Sequence, residues 1–202
     1  MDMTLRWYGE GNDSVTLDQI RQIPGVTGVI TALHDIPAGE AWTYEDVMKR
    51  KQEVEAKGLK LVGVESINVH EDIKIGLPTR DELIENYCKS LEAIGKADIH
   101  LVCYNFMPVF DWTRTELARM RPDGSTVLAY NQAAVDAIDP AKMFESIAGD
   151  MNGTVMPGWE PERMAHVKEL FEMYKDVDDE KLFANLKYFL ERIMPTCCLL
   201  YT

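Results

Sequence analysis

The 202-residue sequence has few cysteines, few basic residues and no long apolar run. Its four cysteines include no CxxC pair, which argues against a disulfide framework and a zinc ribbon. Lys and Arg number 21 against 34 Asp and Glu, so the net charge of −13 excludes nucleic acid and an anionic membrane as expected partners. No apolar run reaches the roughly 20 residues that span a membrane, and the first residues lack a signal-peptide pattern. We therefore expect a globular, cytoplasmic protein.

A glycine-rich phosphate loop is also missing. Gly9 and Gly11 follow the first predicted strand, but no third glycine opens a helix, so a dinucleotide-binding fingerprint is not expected.

The first half of the sequence alternates strands with helices. Apolar, partly β-branched runs predict strands at residues 4–8, 26–31, 59–65 and 99–105. Helical patterns lie between them, at residues 16–23, 43–58 and 79–97, with Thr16 and Thr43 as N-caps. Strands joined by helices pair in parallel. Two α/β architectures fit this pattern, a doubly wound open sheet and a (β/α)8 barrel.

Residues 106–176 break this rhythm and are predicted to be an insertion within a single domain of residues 1–202. A turn is expected at 121–125 and helical patterns at 140–149 and 160–174. Long insertions of this kind form lids or subunit contacts. A fourth main helix follows, and Pro195 is predicted to end it. Its predicted apolar stripe consists of Leu182, Phe183, Leu186, Leu190 and Ile193.

Polar and aromatic residues collect where the predicted strands end, the edge at which parallel β/α folds place their active sites. A pocket built from them would suit a small polyhydroxylated acid, since Arg offers a fork for a carboxylate and aromatic faces pack on sugar C–H groups. The candidate substrate-binding residues are Trp7, Glu65, His70, Tyr104, Asn105, Trp112 and Arg114.

Each candidate also has a purely structural interpretation. His70, in the acid-rich stretch ESINVHEDIK, is either a metal ligand or general base, or a solvated loop histidine in a local salt bridge. Trp7 and Trp112 are either core residues or pocket walls. Arg114 and Asp111 are either pocket residues or a surface ion pair.

Several segments resemble the mannonate dehydratase family. They are RWYG at residues 6–9, HEDIK at 70–74 and CYNFMPVFDWTRT at 103–115, and the stretches IRQIPGVTGVITALHDIP and MPGWEPER are also similar to that family. The resemblance runs from about residue 5 to Cys197. It implies a TIM barrel of the xylose-isomerase-like kind that dehydrates D-mannonate to 2-dehydro-3-deoxy-D-gluconate in hexuronate (glucuronate) catabolism, with Mn²⁺ or Fe²⁺ as cofactor.

The resemblance further implies that this chain corresponds to the first four β/α units of the barrel plus the insertion. In the family, the metal ligands and the acid/base residues come later, so we expect no metal ligand here, no catalytic residue that we can name, and no activity from the 202 residues alone. The Glu65–Lys74 stretch then becomes substrate-side wall.

Two alternatives stay open at this point. The first is a metal-dependent sugar isomerase or epimerase of the same barrel superfamily, with Glu65 as a ligand. The second is a non-catalytic half barrel that associates through its unpaired strand edges. The expected partners of the chain are a small sugar-acid substrate and further copies of itself, as a homo-oligomer.

Overall fold

The computed structural model describes residues 2–108, 114–136, 169–170 and 172–199, which fall into two compact units. The first unit comprises Met1–Phe106 and Val177–Thr202, and the second comprises Met107–Asp176. Within these described residues, no helix is both long enough and apolar enough to cross a membrane.

Strands and helices alternate along the first part of the chain. In order, they are β1 (Met3–Arg6), α1 (Leu17–Arg21), β2 (Val26–Thr31), α2 (Tyr44–Glu55), β3 (Lys60–Asn68), α3 (Glu71–Ile75), α4 (Arg80–Lys96) and β4 (Val102–Asn105). The second unit contributes β5 (Glu116–Met120), β6 (Thr126–Ala129) and α5 (Gln132–Asp136). The chain then returns to the first unit with α6 (Asp179–Leu199).

The first unit is built on a four-stranded, wholly parallel sheet with the order β1-β2-β3-β4. Because a doubly wound sheet reverses its strand order at a switch point, this sequential order is that of a β/α barrel. The parallel α/β fold expected from the sequence is therefore confirmed as a sheet of half-barrel type.

Capping side chains fix where the first two helices begin, as the sequence predicts. The Thr16 hydroxyl accepts from the Gln19 amide at 3.3 Å, and the Gln19 side chain accepts from the Thr16 amide at 2.8 Å. At α2, the Thr43 hydroxyl accepts from the Asp46 amide at 3.2 Å. These bonds satisfy amides that have no partner within the first turn of a helix.

The hydrophobic core lies between the sheet and the helices. Phe189 of α6 is 0% exposed, and its ring contacts those of Tyr87, Tyr104 and Phe106 at centroid distances of 5.0, 5.9 and 5.8 Å. The last helix is thereby held against α4 and the end of β4, although 70 residues of the second unit intervene in sequence.

Asn185 adds a buried polar connection between α6 and α3. Its amide nitrogen donates to the Lys74 carbonyl at 2.8 Å, and its amide oxygen accepts from Arg80 at 3.3 Å. Gly76 ends α3 with φ +82°, and a Cβ at that position would lie 2.6 Å from the Asn185 amide oxygen. Close packing at this point therefore requires glycine for both its conformation and its size.

Two details of the predicted helices are wrong. Pro195 lies inside α6 rather than at its end, because proline removes only one helical hydrogen bond and packing on either side, at Ile193 and Cys197, keeps the helix intact. Phe183, assigned to the apolar stripe, is 69% exposed, while Phe189 is the residue that is fully buried. The sequence analysis also missed α3, a single short helix within the polar stretch after β3.

The second unit contains an antiparallel hairpin of β5 and β6. Its turn is closed by the Arg121 amide, which donates to the Ser125 carbonyl at 2.8 Å, and Gly124 supplies the φ of +82°. The predicted turn at 121–125 is confirmed. The helical pattern predicted at 140–149 and most of that at 160–174 lie outside the described residues. The role of residues 106–176 as a lid or subunit contact stays a prediction.

Candidate functional site

An ion pair between Arg6 and Glu65 marks the face of the sheet opposite the helices. Val64 lines a small cavity with Trp42 and Val47 of the α2 region, so it faces the helices. Side chains alternate along a strand, and Glu65 therefore points to the other side, which we call the inner face. Arg6 Nη1 lies 2.8 Å from Glu65 Oε1, so the pair reaches across β2 from β1 to β3.

Two loop residues extend this cluster beyond the strand ends. The Arg6 guanidinium lies over the Tyr8 ring at 4.6 Å, a cation–π distance, and the Tyr8 ring stacks on His34 at 5.8 Å. The Tyr8 amide donates to an Asp13 carboxylate oxygen at 3.0 Å, which fixes the start of the loop after β1. The carboxyl ends of β1 and β2 thus contribute a connected aromatic and charged wall.

Cys103 of β4 stands opposite Glu65 in the strand register and shares the inner face with it. Burial raises the pKa of the Cys103 thiol above its ordinary value, the Glu65 carboxylate raises it further, and Arg6 lowers it in part. The thiol is therefore protonated at neutral pH, and it acts as a small, weakly polar wall rather than as a nucleophile.

Asn105 continues the polar surface at the end of β4. Its side-chain amide donates to the Ser66 hydroxyl at 3.3 Å, and that hydroxyl donates to the Asn68 side-chain oxygen at 3.3 Å. These three residues connect the carboxyl ends of β3 and β4 beside Glu65. Ser66 is 7% exposed and holds the two amides in place, and the side chains of Asn105 and Asn68 can donate to and accept from the hydroxyl groups of a sugar acid.

Of the candidate residues, Glu65 and Asn105 are the two that lie together in this cluster. Trp7 is 2% exposed and packs in the core, with the Arg50 guanidinium 5.5 Å from its ring. Tyr104 follows Cys103 in β4 and therefore faces the helices, where its ring contacts Phe189 at 5.9 Å.

His70 occupies a capping position at the start of α3. Its Nδ1 accepts from the Asp72 amide at 3.2 Å and lies 3.6 Å from an Asp72 carboxylate oxygen. The ring also lines a small cavity with Gly39 and Leu83. Its local contacts thus match the structural interpretation, in which the histidine organises the polar stretch after β3.

The other two candidates cannot be placed against this cluster. Trp112 lies outside the described residues, and Arg114 belongs to the second unit. The sequence analysis did not name Arg6 or Cys103 as site residues. A signal existed for Arg6, because it is the one charged residue of the first predicted strand, 4–8, and Glu65 ends the predicted strand at 59–65.

The described residues do not fit a complete metal site. Across residues 2–108, 114–136 and 172–199, no group of three or more His, Cys, Asp or Glu side chains is arranged to hold a metal ion. Glu65, the best-placed carboxylate, is paired with a guanidinium at 2.8 Å, and that cation repels a second positive charge.

Comparison with known proteins gives a consistent result over almost the whole chain. The family model for D-mannonate dehydratase (UxuA) matches residues 1–199. The mannonate dehydratase of Brachyspira hyodysenteriae is 67% identical over 197 residues, which are 98% of this chain and 56% of that protein. The mannonate dehydratase of Thermotoga maritima is 54% identical over 197 residues, covering 98% of this chain and 55% of that protein.

A solved structure agrees with the sequence comparisons. The crystal structure of mannonate dehydratase from Streptococcus suis serotype2 matches with a TM-score of 0.82 and 43% identity, over 99% of this chain and 51% of that one. The chain thus spans about half the length of the relatives that it matches. The match confirms the half-barrel architecture and the resemblance seen in the sequence, and the chain belongs to the mannonate dehydratase family.

Proposed function

We propose that this chain supplies the substrate-side half of a mannonate dehydratase, a hydro-lyase that converts D-mannonate to 2-dehydro-3-deoxy-D-gluconate. The observation that carries the proposal is 67% identity to a mannonate dehydratase over 98% of the chain, with no interruption of the barrel strands. A sugar-acid substrate also suits the inner face, which combines one guanidinium with amide, hydroxyl and carboxylate groups.

The reaction is an elimination of water. A base removes the proton next to the substrate carboxylate, and an acid protonates the hydroxyl that leaves from the neighbouring carbon. The role proposed for this half of the barrel is to bind and orient the acid. Asn105 and Asn68, connected through Ser66, would hold the hydroxyl groups, while the Arg6–Glu65 pair sets the charge at one end of the pocket.

The remaining candidate residues enter the proposal by position. Trp7 and Tyr104 would support the pocket from the core side, and His70 would fix the loop after β3. Trp112 and Arg114 are proposed as substrate contacts from their position in the sequence after the fourth predicted strand and from their chemistry.

A divalent cation, Mn²⁺ or Fe²⁺, is part of this proposal as the family's cofactor. When bound, it would stabilise negative charge on substrate oxygens. The described residues do not form its ligand set. We also propose a cytoplasmic homo-oligomer acting in glucuronate catabolism. Exposed apolar residues on the outermost strands, Leu5 at 38% and Tyr104 at 40%, are consistent with association through the strand edges.

A chimera tests the proposed function directly. Residues 1–197 would be joined to the part of the Brachyspira enzyme that lies beyond its alignment with this chain, and D-mannonate dehydration would be followed with added Mn²⁺. We expect turnover within about tenfold of the Brachyspira enzyme, because the two first halves are 67% identical. The 202-residue chain assayed alone is the comparison, and it should show no turnover.

Two results would contradict the proposal. A folded chimera, with the circular dichroism spectrum of the parent enzyme but no turnover, would show that this half does not serve the reaction. Turnover by the 202 residues alone would show that the acid/base residues do not lie in the part of the relatives that this chain leaves uncovered.

The isomerase or epimerase alternative requires Glu65 to be a metal ligand. The ion pair with Arg6 weighs against it, because a ligand carboxylate would have to leave a guanidinium 2.8 Å away. Titration of Mn²⁺ into the wild-type chain and into Glu65→Gln separates the two hypotheses. An affinity that depends on Glu65 would favour the isomerase.

A further inference from the structure

We propose that Arg6 binds the carboxylate of the sugar-acid substrate and that Glu65 and Tyr8 hold it in position. The inference rests on the proposed function and adds to it a residue for one end of the substrate. It is drawn from the surroundings of Arg6, which combine a carboxylate at 2.8 Å, an aromatic face at 4.6 Å and a side chain that is 26% exposed.

Arg6 lies at an edge of the sheet that suits ligand binding. Arg6 is the last residue of β1, at the carboxyl edge of the parallel sheet, where β/α barrels bind their ligands. Its side chain is 26% exposed, and that of Glu65 is 29% exposed. The pair therefore lies in a partly desolvated position that a small molecule can still reach. In such a position a charge-assisted contact is stronger than at an open surface.

The orientation of the Arg6 guanidinium is fixed by its neighbours. A guanidinium is planar, and Arg6 is held from two directions, by Glu65 at one nitrogen and by the Tyr8 ring over its face. The Tyr8 ring is itself stacked on His34, and its amide is fixed by Asp13. An arginine held in this way loses little further conformational entropy when it binds a ligand. The smaller entropy loss favours binding.

The Arg6 guanidinium has hydrogen-bond donors that its neighbours do not use. A guanidinium has five N–H groups. The ion pair engages Nη1, and Arg6 Nε is buried with no hydrogen-bond partner in the part of the chain that the structure describes. Buried polar nitrogens are nearly always paired in folded proteins, so the Arg6 guanidinium keeps donor capacity that the described residues do not use. A carboxylate, which accepts two parallel hydrogen bonds from a guanidinium edge, is the ligand that fits.

Arg6 is a local positive charge in a strongly acidic chain. The chain as a whole carries −13, which repels an anionic substrate over long range. An anion will bind at the inner face only if a local cation offsets this repulsion, and Arg6 is positioned to do so.

Side-chain NMR on the full 202-residue chain tests the proposal without requiring turnover. The Nε–Hε signals of the arginines would be recorded during titration with D-mannonate and, separately, with the uncharged polyol D-mannitol. The Arg6 signal is assigned by its loss in Arg6→Lys. We expect a saturable shift of this signal with D-mannonate and none with D-mannitol, because only the acid carries a carboxylate.

Variants separate binding by Arg6 from a merely structural role. Arg6→Lys keeps the positive charge and removes the fork, so D-mannonate should bind roughly tenfold or more weakly. Arg21→Lys, at an exposed position on α1, is the matched control and should bind as the wild type does. Thermal unfolding of both variants shows whether each is folded, and the wild-type titration stands without either.

The outcomes are distinct from those of the chimera. An Arg6 signal that does not move, that moves equally with D-mannitol, or an Arg6→Lys chain that binds D-mannonate with wild-type affinity would each overturn the assignment of Arg6. In an active chimera, Arg6→Lys should raise KM for D-mannonate more than it lowers kcat. An active chimera with an unchanged KM would refute the inference while leaving the proposed function intact.

Discussion

Replacing Phe189 with alanine tests whether α6 is held to the rest of the first unit mainly by its aromatic contacts. Phe189 is 0% exposed and is surrounded by the rings of Tyr87, Tyr104 and Phe106. The exposed Phe183, on the same helix, is the matched control. If the cluster joins the helix to the sheet, Phe189→Ala should be severely destabilising and Phe183→Ala should not.

The expected magnitude follows from burial. Truncating a buried phenylalanine to alanine costs about 3–5 kcal/mol in free energy of unfolding. Two edge-to-face contacts, with Tyr87 and Tyr104, place this residue in the upper part of that range, at about 4 kcal/mol. Domains have total stabilities of about 5–15 kcal/mol, so the variant would lose a large share. The control should change by about 0.5 kcal/mol or less.

Urea unfolding followed by tryptophan fluorescence is a suitable assay, because Trp7 and Trp42 are 2% and 5% exposed. With a denaturant slope of about 2 kcal/mol/M, the midpoint of Phe189→Ala should fall by about 2 M relative to wild type. If the two alanine variants lose equal stability, or if Phe189→Ala loses less than about 1 kcal/mol, the aromatic cluster does not hold the helix.

Two further predictions concern backbone conformation and pH. Gly76→Ala and Gly11→Ala both place a side chain at a φ near +80°, which costs about 1–2 kcal/mol, but only Gly76 is crowded, by Asn185 at 2.6 Å. Gly76→Ala should therefore be the less stable variant in urea unfolding, and equal losses would contradict the close packing. Burial raises the pKa of the Tyr87 phenol and of the Cys103 thiol. As pH rises through the ordinary thiol pKa of 9.0, the unfolded state loses its protons before the folded state does. The urea concentration at the unfolding midpoint should therefore decrease as pH is raised from about 8 to about 10.5. A midpoint that rises over this interval would show the sign to be wrong.

Regular elements were predictable because their signals are local. The strand at Val26–Thr31 is a continuous run rich in β-branched residues. Thr43 and Asp46 form a capping pattern that indicates where α2 begins. The burial of Phe189 in place of Phe183 was not predictable, since both residues fit a helical stripe. What decides between them is the position of rings on β4 and α4, which a helical period does not contain.

The candidate site was only partly predictable for a similar reason. Strand ends pointed to Glu65 and Asn105, and the structure places both on the paired strands β3 and β4, because parallel strands bring their carboxyl ends to one edge. Their role in substrate binding stays a prediction. Tyr104 was placed on the other face, since a one-residue difference in a strand reverses the direction of a side chain. The partner of Glu65 lies two strands away, and sequence spacing gives no distance for such a pair.

The hydrogen bond between Asn185 and Lys74 joins residues 111 positions apart in the chain. A ribosome that adds about 5–20 residues per second needs roughly 5–20 s to cover that interval. During this time the surface that α6 will cover, including Tyr87 and Phe106, is already synthesised and still bare. The nascent chain therefore passes through a long period of apolar exposure, so its yield in cells should depend on chaperone capacity and on translation speed across residues 107–176.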